Sequence, residues 1–154
     1  MHYRAFSLSL LAGLCATATA YAQDFTRAPS YGVVSLATGF TPSPFEVDLQ
    51  SGGELDSLTV FGLACRGNIA QNPDYRVLFE AGSKPLDIRV EATADTTLII
   101  NDPNGDWFCD DDGASGVNPQ LVFDQPLSGQ YDIWVGTYGD ASLQPAKLII
   151  HEHE

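Results

Sequence analysis

The chain alternates apolar and polar side chains over several short segments, and this pattern restricts its fold more than any other feature. Residues 45–50 read Phe-Glu-Val-Asp-Leu-Gln, and residues 86–91 read Leu-Asp-Ile-Arg-Val-Glu. A two-residue period places the apolar side chains on one face of a half-buried β-strand. The same reasoning predicts strands at 75–80, 96–101, 121–124, 131–136 and 146–151, with weaker candidates at 33–36 and 58–63.

Clusters of Gly or Pro with Asn, Asp or Ser separate these segments, for example at residues 71–74 and 102–105. Such clusters favour chain reversals. We therefore predict an all-β fold, an antiparallel β-sandwich or jelly roll of about 7–9 short strands. Residues 98–100 and 148–150 are apolar on both faces, so we expect them to lie in central strands.

The N-terminal residues 1–22 have the pattern of a secretory signal peptide. Arg4 precedes a short apolar stretch, and small residues follow up to Ala20-Tyr21-Ala22. The apolar stretch is shorter than the roughly 20 residues of a membrane span. The alternative, a lipoprotein cleaved before Cys15, is disfavoured because the bulky Leu14 precedes that cysteine. We expect an exported protein, periplasmic or extracellular, with a single β-sandwich domain over residues 23–154.

The chain is strongly acidic, with 20 Asp and Glu residues against 7 Lys and Arg residues and a formal net charge of −13. Phosphate recognition needs a basic surface, so this charge excludes duplex nucleic acid as a partner. It also disfavours binding to anionic lipid. We expect no membrane insertion after the signal peptide is cleaved.

Removal of the signal peptide leaves two cysteines, Cys65 and Cys109. Two cysteines in an exported domain usually form a disulfide, so we predict a bond between them. The alternative is a pair of free, buried thiols.

The densest group of candidate ligands lies in residues 101–113, which read NDPNGDWFCDDDG. Five carboxylates fall within eleven residues, and such a concentration of like charge is destabilising unless a cation neutralises it. Ca²⁺ is bound by about six to eight oxygen ligands. We therefore predict a calcium site whose candidate ligands are Asp102, Asn104, Asp106, Asp110, Asp111 and Asp112.

The segment departs from the twelve-residue calcium loop of EF-hands at two positions. Trp107 stands where that loop has Gly, and Gly113 stands where it has a bidentate Glu. The segment is therefore no EF-hand. The alternative to calcium is turn chemistry alone, because Asp-Pro-Asn-Gly is also an ordinary type I turn signal.

From Asp95 onward the motifs run Asp-Thr-x-Leu, Pro-x-Gly, Asp-Asp-x-Gly and Ser-Gly-x-Tyr-x-Ile-x-Val. This order resembles the bacterial pre-peptidase C-terminal domain family over about residues 75–152. The resemblance implies a secreted β-sandwich or jelly-roll module of a kind often appended to exported proteases and other hydrolases. The stretch is also similar to small standalone exported proteins with paired cysteines. Some members of this fold group bind calcium in acidic loops, which supports calcium at the candidate ligands.

The sequence favours a protein that is not an enzyme. The histidines that follow the signal peptide are His151 and His153, and neither a G-x-S-x-G nor an H-E-x-x-H motif occurs. His151 and His153 would share one strand face, either as half of a Cu²⁺ or Zn²⁺ site or as solvated residues. Trp107 is the candidate for an exposed platform that stacks on a ligand, whereas Trp134 suits the core.

The leading interpretation is a non-catalytic exported module, calcium-binding, that acts as a binding or adhesion accessory for a protein or polysaccharide. One alternative is a structural subunit of an extracellular fibre or matrix, assembled by strand addition at an exposed edge. A second alternative is a peptidase-associated hydrolase.

Overall fold

A computed structural model describes residues 25–61, 66–139 and 142–153. The predicted signal peptide and Cys65 lie outside these residues. The described residues form eleven strands and one short helix, namely β1 (Val33–Ala37), β2 (Phe45–Ser51), β3 (Leu55–Asp56), α1 (Ser57–Phe61), β4 (Asn68–Ile69), β5 (Tyr75–Glu80), β6 (Leu86–Ala92), β7 (Thr96–Asn101), β8 (Trp107–Asp110), β9 (Gln120–Phe123), β10 (Gly129–Thr137) and β11 (Gln144–Glu152).

The strands form two sheets. The small sheet has four antiparallel strands in the order β2-β11-β6-β9. In the seven-stranded large sheet, β10 pairs with β5 and β4 and also with β7, which pairs in turn with β8. β1 adds to β5 in parallel orientation, and β3 adds to β4. The predicted all-β sandwich is confirmed.

The main core lies between the two sheets. In β10, Tyr131, Ile133 and Val135 point into it, as the two-residue period predicts. Ile88 of β6 and Ile150 of β11 meet them from the small sheet, and all five side chains are fully buried. The segments 98–100 and 148–150 lie in β7 and β11, each of which has a partner strand on both sides. Their predicted central position is confirmed.

A second apolar cluster covers the outer face of the large sheet. Trp134, on the opposite side of β10 from Tyr131, packs there with Ile69 and Ile99, and all three are buried. Trp107 and Cys109 of β8 pack against the same cluster. The prediction that Trp134 packs in a core is therefore confirmed, although this core is not the one between the sheets.

Two parts of the sequence prediction were wrong. Residues 58–61 of the weak strand candidate at 58–63 belong to the helix α1, because the Asp56 side chain caps its start. The Asp56 Oδ1 atom accepts the Leu58 N–H at 3.0 Å, and Oδ2 accepts the Thr59 hydroxyl at 3.3 Å. β8 was not predicted, since its residues fall inside the acidic segment. With β8 and the two-residue strands β3 and β4, the described residues form more strands than predicted.

None of the described helical residues forms a span that is long and apolar enough to cross a membrane.

Candidate functional site

The first half of the acidic segment forms the turn between β7 and β8. Asp102 is buried, and its Oδ1 accepts the backbone N–H groups of Asn104 and Asp106, both at 2.9 Å. The Asp102 N–H donates to the Asp106 carbonyl at 2.9 Å. Gly105 lies between them with a φ of +84°, a conformation that favours glycine. The Asp102 carboxylate therefore stabilises the turn through backbone amides.

The second half of the segment lies at the other end of β8. There Asp110 Oδ2 accepts the N–H groups of Gly113 at 2.6 Å and of Gln120 at 2.9 Å. Asp111 and Asp112 follow in the loop to β9. An extended strand advances about 3.3 Å per residue, so Asp106 and Asp110 lie roughly 13 Å apart along the chain.

The structure therefore does not bring the six predicted calcium ligands together. Within the described residues, no three His, Cys, Asp or Glu side chains form a group that could hold a metal ion. The strand β8 divides residues 101–113, so Asp102, Asn104 and Asp106 precede it, whereas Asp110, Asp111 and Asp112 lie at its other end. Calcium binding by either half stays a prediction.

Asp95, in the turn between β6 and β7, joins the second half of the segment. Burial raises the pKa of Asp95, and the negative charges of Asp112 and Asp111 raise it further. The sequence analysis missed this residue, because Asp95 stands about sixteen positions before Asp111 in the chain. The three carboxylates repel one another at this end of the molecule.

Trp107 is half-buried and not an exposed platform. Its ring centroid lies 5.3 Å from that of Trp134, with the two planes tilted by 43°. The residue alternation of β8 turns Trp107 and Cys109 to the outer cluster of the large sheet. Cys109 is disulfide-bonded, and because Cys65 lies outside the described residues, the pairing of these two cysteines stays a prediction.

A buried carboxylate lies on the outer face of the small sheet. Asp87 of β6 has an exposed fraction of 1%, although the two-residue period directs it away from the core. Its Oδ2 atom lies 2.8 Å from Gln120 Nε2, 3.1 Å from His153 Nε2 and 3.4 Å from the Arg89 guanidinium. Its Oδ1 atom is also buried and has no hydrogen-bond partner among the described residues. Sequence reasoning missed this site, because an Asp at an alternating polar position normally faces water.

Two histidines lie next to Asp87. His151 is the direct cross-strand partner of Asp87, and its ring lies edge-to-face with that of His153 at a centroid distance of 5.4 Å. The structure thus confirms that both histidines lie on one face at the end of β11. We name Asp87, His151 and His153 the histidine–aspartate cluster.

His151 also contacts a hydroxyl group, since its Nδ1 atom lies 3.1 Å from Ser43 Oγ. Serine and histidine are the nucleophile and base of many hydrolases, and a carboxylate orients the base through its second nitrogen. Here the carboxylate of Asp87 contacts His153 instead of His151. The hydroxyl and the carboxylate therefore contact different imidazole rings, Ser43 that of His151 and Asp87 that of His153.

An open groove of about 910 Å³ lies at one end of the small sheet. A charged row crosses its floor, where Lys147 of β11 is paired in register with Asp48 of β2 and Glu91 of β6. Lys147 Nζ also lies 2.6 Å from Glu46 Oε2, and the hydrogen bond to Glu46 raises the pKa of Lys147.

Tyr31 lines the groove beside the edge strand β2. Its hydroxyl accepts the Gln50 N–H at 3.1 Å, which holds the ring at the groove, and 39% of the residue is exposed. Hydroxyl and amide side chains complete the wall, among them Thr93, Ser115 and Asn118.

No protein-family model matches the chain, and no curated protein matches it either. Among solved structures, the chain is similar to the pre-peptidase C-terminal domain of a collagenase from Bacillus anthracis, with 15% identity and a TM-score of 0.48 over 80% of this chain and 97% of that one. It is also similar to PliG of Aeromonas hydrophila, a periplasmic inhibitor of g-type lysozyme, with 12% identity and a TM-score of 0.41 over 79% and 98% of the two chains. At these values neither likeness assigns an activity or a ligand.

Proposed function

We propose that this chain is an exported, non-catalytic β-sandwich module that binds an extended polar chain in the groove of the small sheet. The groove is the observation that carries the proposal. It combines an exposed aromatic ring with amide, hydroxyl and charged side chains, which is the chemistry that recognises polysaccharides and polar peptides. The N-terminal signal pattern supports export.

The composition of the groove supports binding over catalysis. None of its described lining residues is a histidine or a cysteine. Its two carboxylates, Asp48 and Glu91, lie two strand spacings apart, about 10 Å, with Lys147 between them. Glycosidases place their two carboxyl groups on either side of the scissile bond, whereas here Lys147 lies between the two acidic residues.

The test is an NMR titration of ¹⁵N-labelled protein with a panel of soluble polysaccharides and polar peptides. We expect one class of ligand to shift the amide signals of Tyr31, Gln50 and Lys147. Tyr31→Ala should weaken that binding by about fivefold, since stacking on an exposed ring contributes on the order of 1 kcal/mol.

Tyr138→Ala is the matched control, because Tyr138 is also 39% exposed but lies outside the groove. We expect it to leave the affinity unchanged. Equal losses in both variants, or signal shifts confined to another surface, would contradict the proposal.

The fibre alternative is favoured by the edge strand β1. Its sequence, Val-Val-Ser-Leu-Ala, has no charged residue and no proline, and Val33 is 51% exposed. Among the described strands, β1 pairs only with β5. Exposed edge strands without charge are templates for pairing with another chain.

Electron microscopy of concentrated protein tests this alternative. If the chain forms fibres through β1, filaments should appear in the wild type and disappear in Ser35→Lys, because a lysine blocks strand addition. Ser83→Lys, at an exposed position outside β1, is the control that adds the same charge. Wild-type protein that stays monomeric at high concentration would exclude this alternative.

A further inference from the structure

We propose that the chain bound in the groove is an extended peptide with Lys or Arg side chains, which adds as a further strand to the free edge of β2. This rests on the proposed function and names the class of ligand that the groove takes. β2 lies at one end of the strand order β2-β11-β6-β9. The groove lies on this side of the sheet, since Tyr31, Asp48 and Gln50 line it.

The pairing of β2 with β11 determines which backbone groups of β2 point away from the sheet. In an antiparallel pair, opposite residues alternate between pairs that exchange both N–H···O bonds and pairs that exchange none. Gln50 is opposite Pro145, which has no N–H, so this pair is of the second kind. The Gln50 N–H donates instead to the Tyr31 hydroxyl at 3.1 Å. By the alternation, Glu46 and Asp48 also direct their N–H and C=O groups away from β11.

The free edge of β2 is therefore a short template for another strand. Among the described strands, β2 pairs only with β11. The Tyr31 hydroxyl occupies the N–H of Gln50 at one end of the edge, and Pro44, which has no N–H, precedes the strand at the other end. Glu46 and Asp48, between these ends, are exposed. Backbone N–H and C=O groups at the edge of a sheet can bind an extended peptide by strand addition.

The charge of this edge selects the partner. The side chains of Glu46 and Asp48 lie on the outer face of the sheet, because they alternate with the core-facing residues of β2. Lys147 Nζ lies 2.6 Å from Glu46 Oε2 and offsets that charge, whereas Asp48 and Glu91, on either side of Lys147, leave the row negative. Opposite charges on paired strands attract, and like charges repel. A peptide that places Lys or Arg beside Asp48 is therefore favoured.

The same charge disfavours a second copy of this chain at β2. The chain has a formal net charge of −13, and charged side chains on an edge strand hinder its pairing with an identical strand. The edge strand β1, in contrast, has no charged residue. Binding of a basic peptide at β2 is therefore a separate event from the fibre formation considered for β1.

Amide hydrogen exchange of the ¹⁵N-labelled protein, measured by NMR, tests the strand addition. In the free protein, the amides of Glu46 and Asp48 should exchange faster than those of Val47 and Leu49, which point to β11. The probe is a short synthetic peptide that alternates Lys and Thr. At a peptide concentration of about ten times the Kd, exchange at Glu46 and Asp48 should slow about tenfold.

Two control peptides separate strand addition from attraction between charges. A peptide with Glu in place of Lys should not slow the exchange, because its charge is repelled by the edge. A Lys-Thr peptide in which every backbone nitrogen is methylated keeps the positive charge but cannot donate hydrogen bonds to the edge carbonyls. It should also leave the exchange at Glu46 and Asp48 unchanged.

Two variants of Asp48 test the same point from the side of the protein. Asp48→Pro removes an edge N–H without removing a bond to β11, and it should abolish the slowing at Glu46. Asp48→Asn keeps the N–H and should weaken the peptide binding only about two- to fivefold, as expected for the loss of one cross-strand charge pair. Asp124→Asn makes the same change at an exposed position outside the groove and should leave the affinity unchanged. If circular dichroism shows that Asp48→Pro does not fold, the methylated peptide decides the question.

The possible outcomes distinguish strand addition from the proposed function of the groove. Equal slowing by the methylated and unmethylated peptides would overturn strand addition, as would a Lys-Thr peptide that leaves the exchange at Glu46 and Asp48 unchanged. If a polysaccharide, and no peptide, shifts the amide signals of Tyr31 and Lys147, the groove function stands and strand addition fails. If the Lys-Thr peptide slows the exchange at Glu46 and Asp48 but no ligand shifts the signals of the groove, strand addition stands and the groove function fails.

Discussion

The outer faces of the two sheets differ in the way they are covered. The large sheet carries the apolar cluster of Trp134, Ile99 and Ile69. The side chains of Leu55 in β3 and of Trp107 and Cys109 in β8 pack against this cluster. The small sheet carries charged and polar side chains, such as the row of Asp48, Lys147 and Glu91. The large sheet is therefore buried on both faces over part of its area, whereas the small sheet faces the solvent with the groove and the histidine–aspartate cluster.

This difference teaches how to interpret the alternation of side chains. On the small sheet, a polar residue at an outward position normally faces water, so a buried one such as Asp87 indicates a special role. On the large sheet, an apolar residue at an outward position is a second core. In both cases the informative residues are those that depart from the alternation of their own strand.

The largest expected effect is the loss of the outer cluster of the large sheet. Trp134→Ala removes a fully buried ring and should lower the free energy of unfolding by about 3–5 kcal/mol. Trp134→Phe should cost less, because it keeps an aromatic ring and removes a buried indole N–H that has no partner among the described residues. Urea denaturation measures both. A cost below about 1 kcal/mol for Trp134→Ala would show that this cluster is not a core.

The next effect concerns a carboxylate buried within the large sheet. Asp74 directly precedes β5, and its Oδ2 accepts the Val135 N–H at 2.7 Å. Val135 lies on β10 between the residues that pair with β5 and the residue that pairs with β4, so the Asp74 side chain takes the place of a strand partner there. Burial raises the pKa of Asp74 from 3.8 to about 7, and the Val135 hydrogen bond offsets part of this. Between about pH 4 and pH 7 the folded state thus holds a proton that the unfolded state has lost.

The contribution of Asp74 to the free energy of unfolding is therefore present at low pH and is lost as the pH rises to about 7. Above that pH the free energy of unfolding no longer changes through Asp74. The loss is on the order of 4 kcal/mol. Asp74→Asn keeps an acceptor for Val135 and should remove this pH dependence. Chemical denaturation at several pH values between 4 and 8 measures the slope, and Asp124→Asn, at an exposed position, is the control. An unchanged slope in Asp74→Asn would contradict the assignment.

The sequence predicted the fold better than the sites, and the reason is physical. Strand alternation reports local burial, so segments such as 75–80 and 96–101 match β5 and β7 residue for residue. The helix cap of Asp56 is a local signal that was overlooked. The contact of Asp87 with His153, in contrast, joins residues 66 positions apart, and only the pairing of β6 with β11 brings them together. The division of the acidic segment likewise depends on the pairing of β8 with β7.

A smaller effect separates the turn chemistry of the acidic segment from calcium. Asp102→Ala removes the acceptor of two backbone N–H groups and should cost about 1–2 kcal/mol in the presence and absence of calcium. Asp106→Ala is the matched control, because Asp106 enters the turn through its backbone and its side chain is exposed. Thermal melts in EDTA and in millimolar Ca²⁺ measure both. If calcium stabilises the wild type but not Asp106→Ala, that half of the segment binds the ion.

The smallest expected effect tests the solvent-facing side of the small sheet. Val122 of β9 is 46% exposed, and its neighbours Leu121 and Phe123 pack into the main core. Val122→Thr preserves the branched shape and adds a hydroxyl that water can solvate, so the free energy of unfolding should change by less than about 0.5 kcal/mol.

Val135→Thr makes the same change in the core between the sheets, where burial of the added hydroxyl should cost about 1–3 kcal/mol. Urea denaturation of the two variants measures the difference. Equal costs would mean that the outer face of the small sheet is covered like that of the large sheet, since only a buried Val122 would be as sensitive to the hydroxyl as Val135.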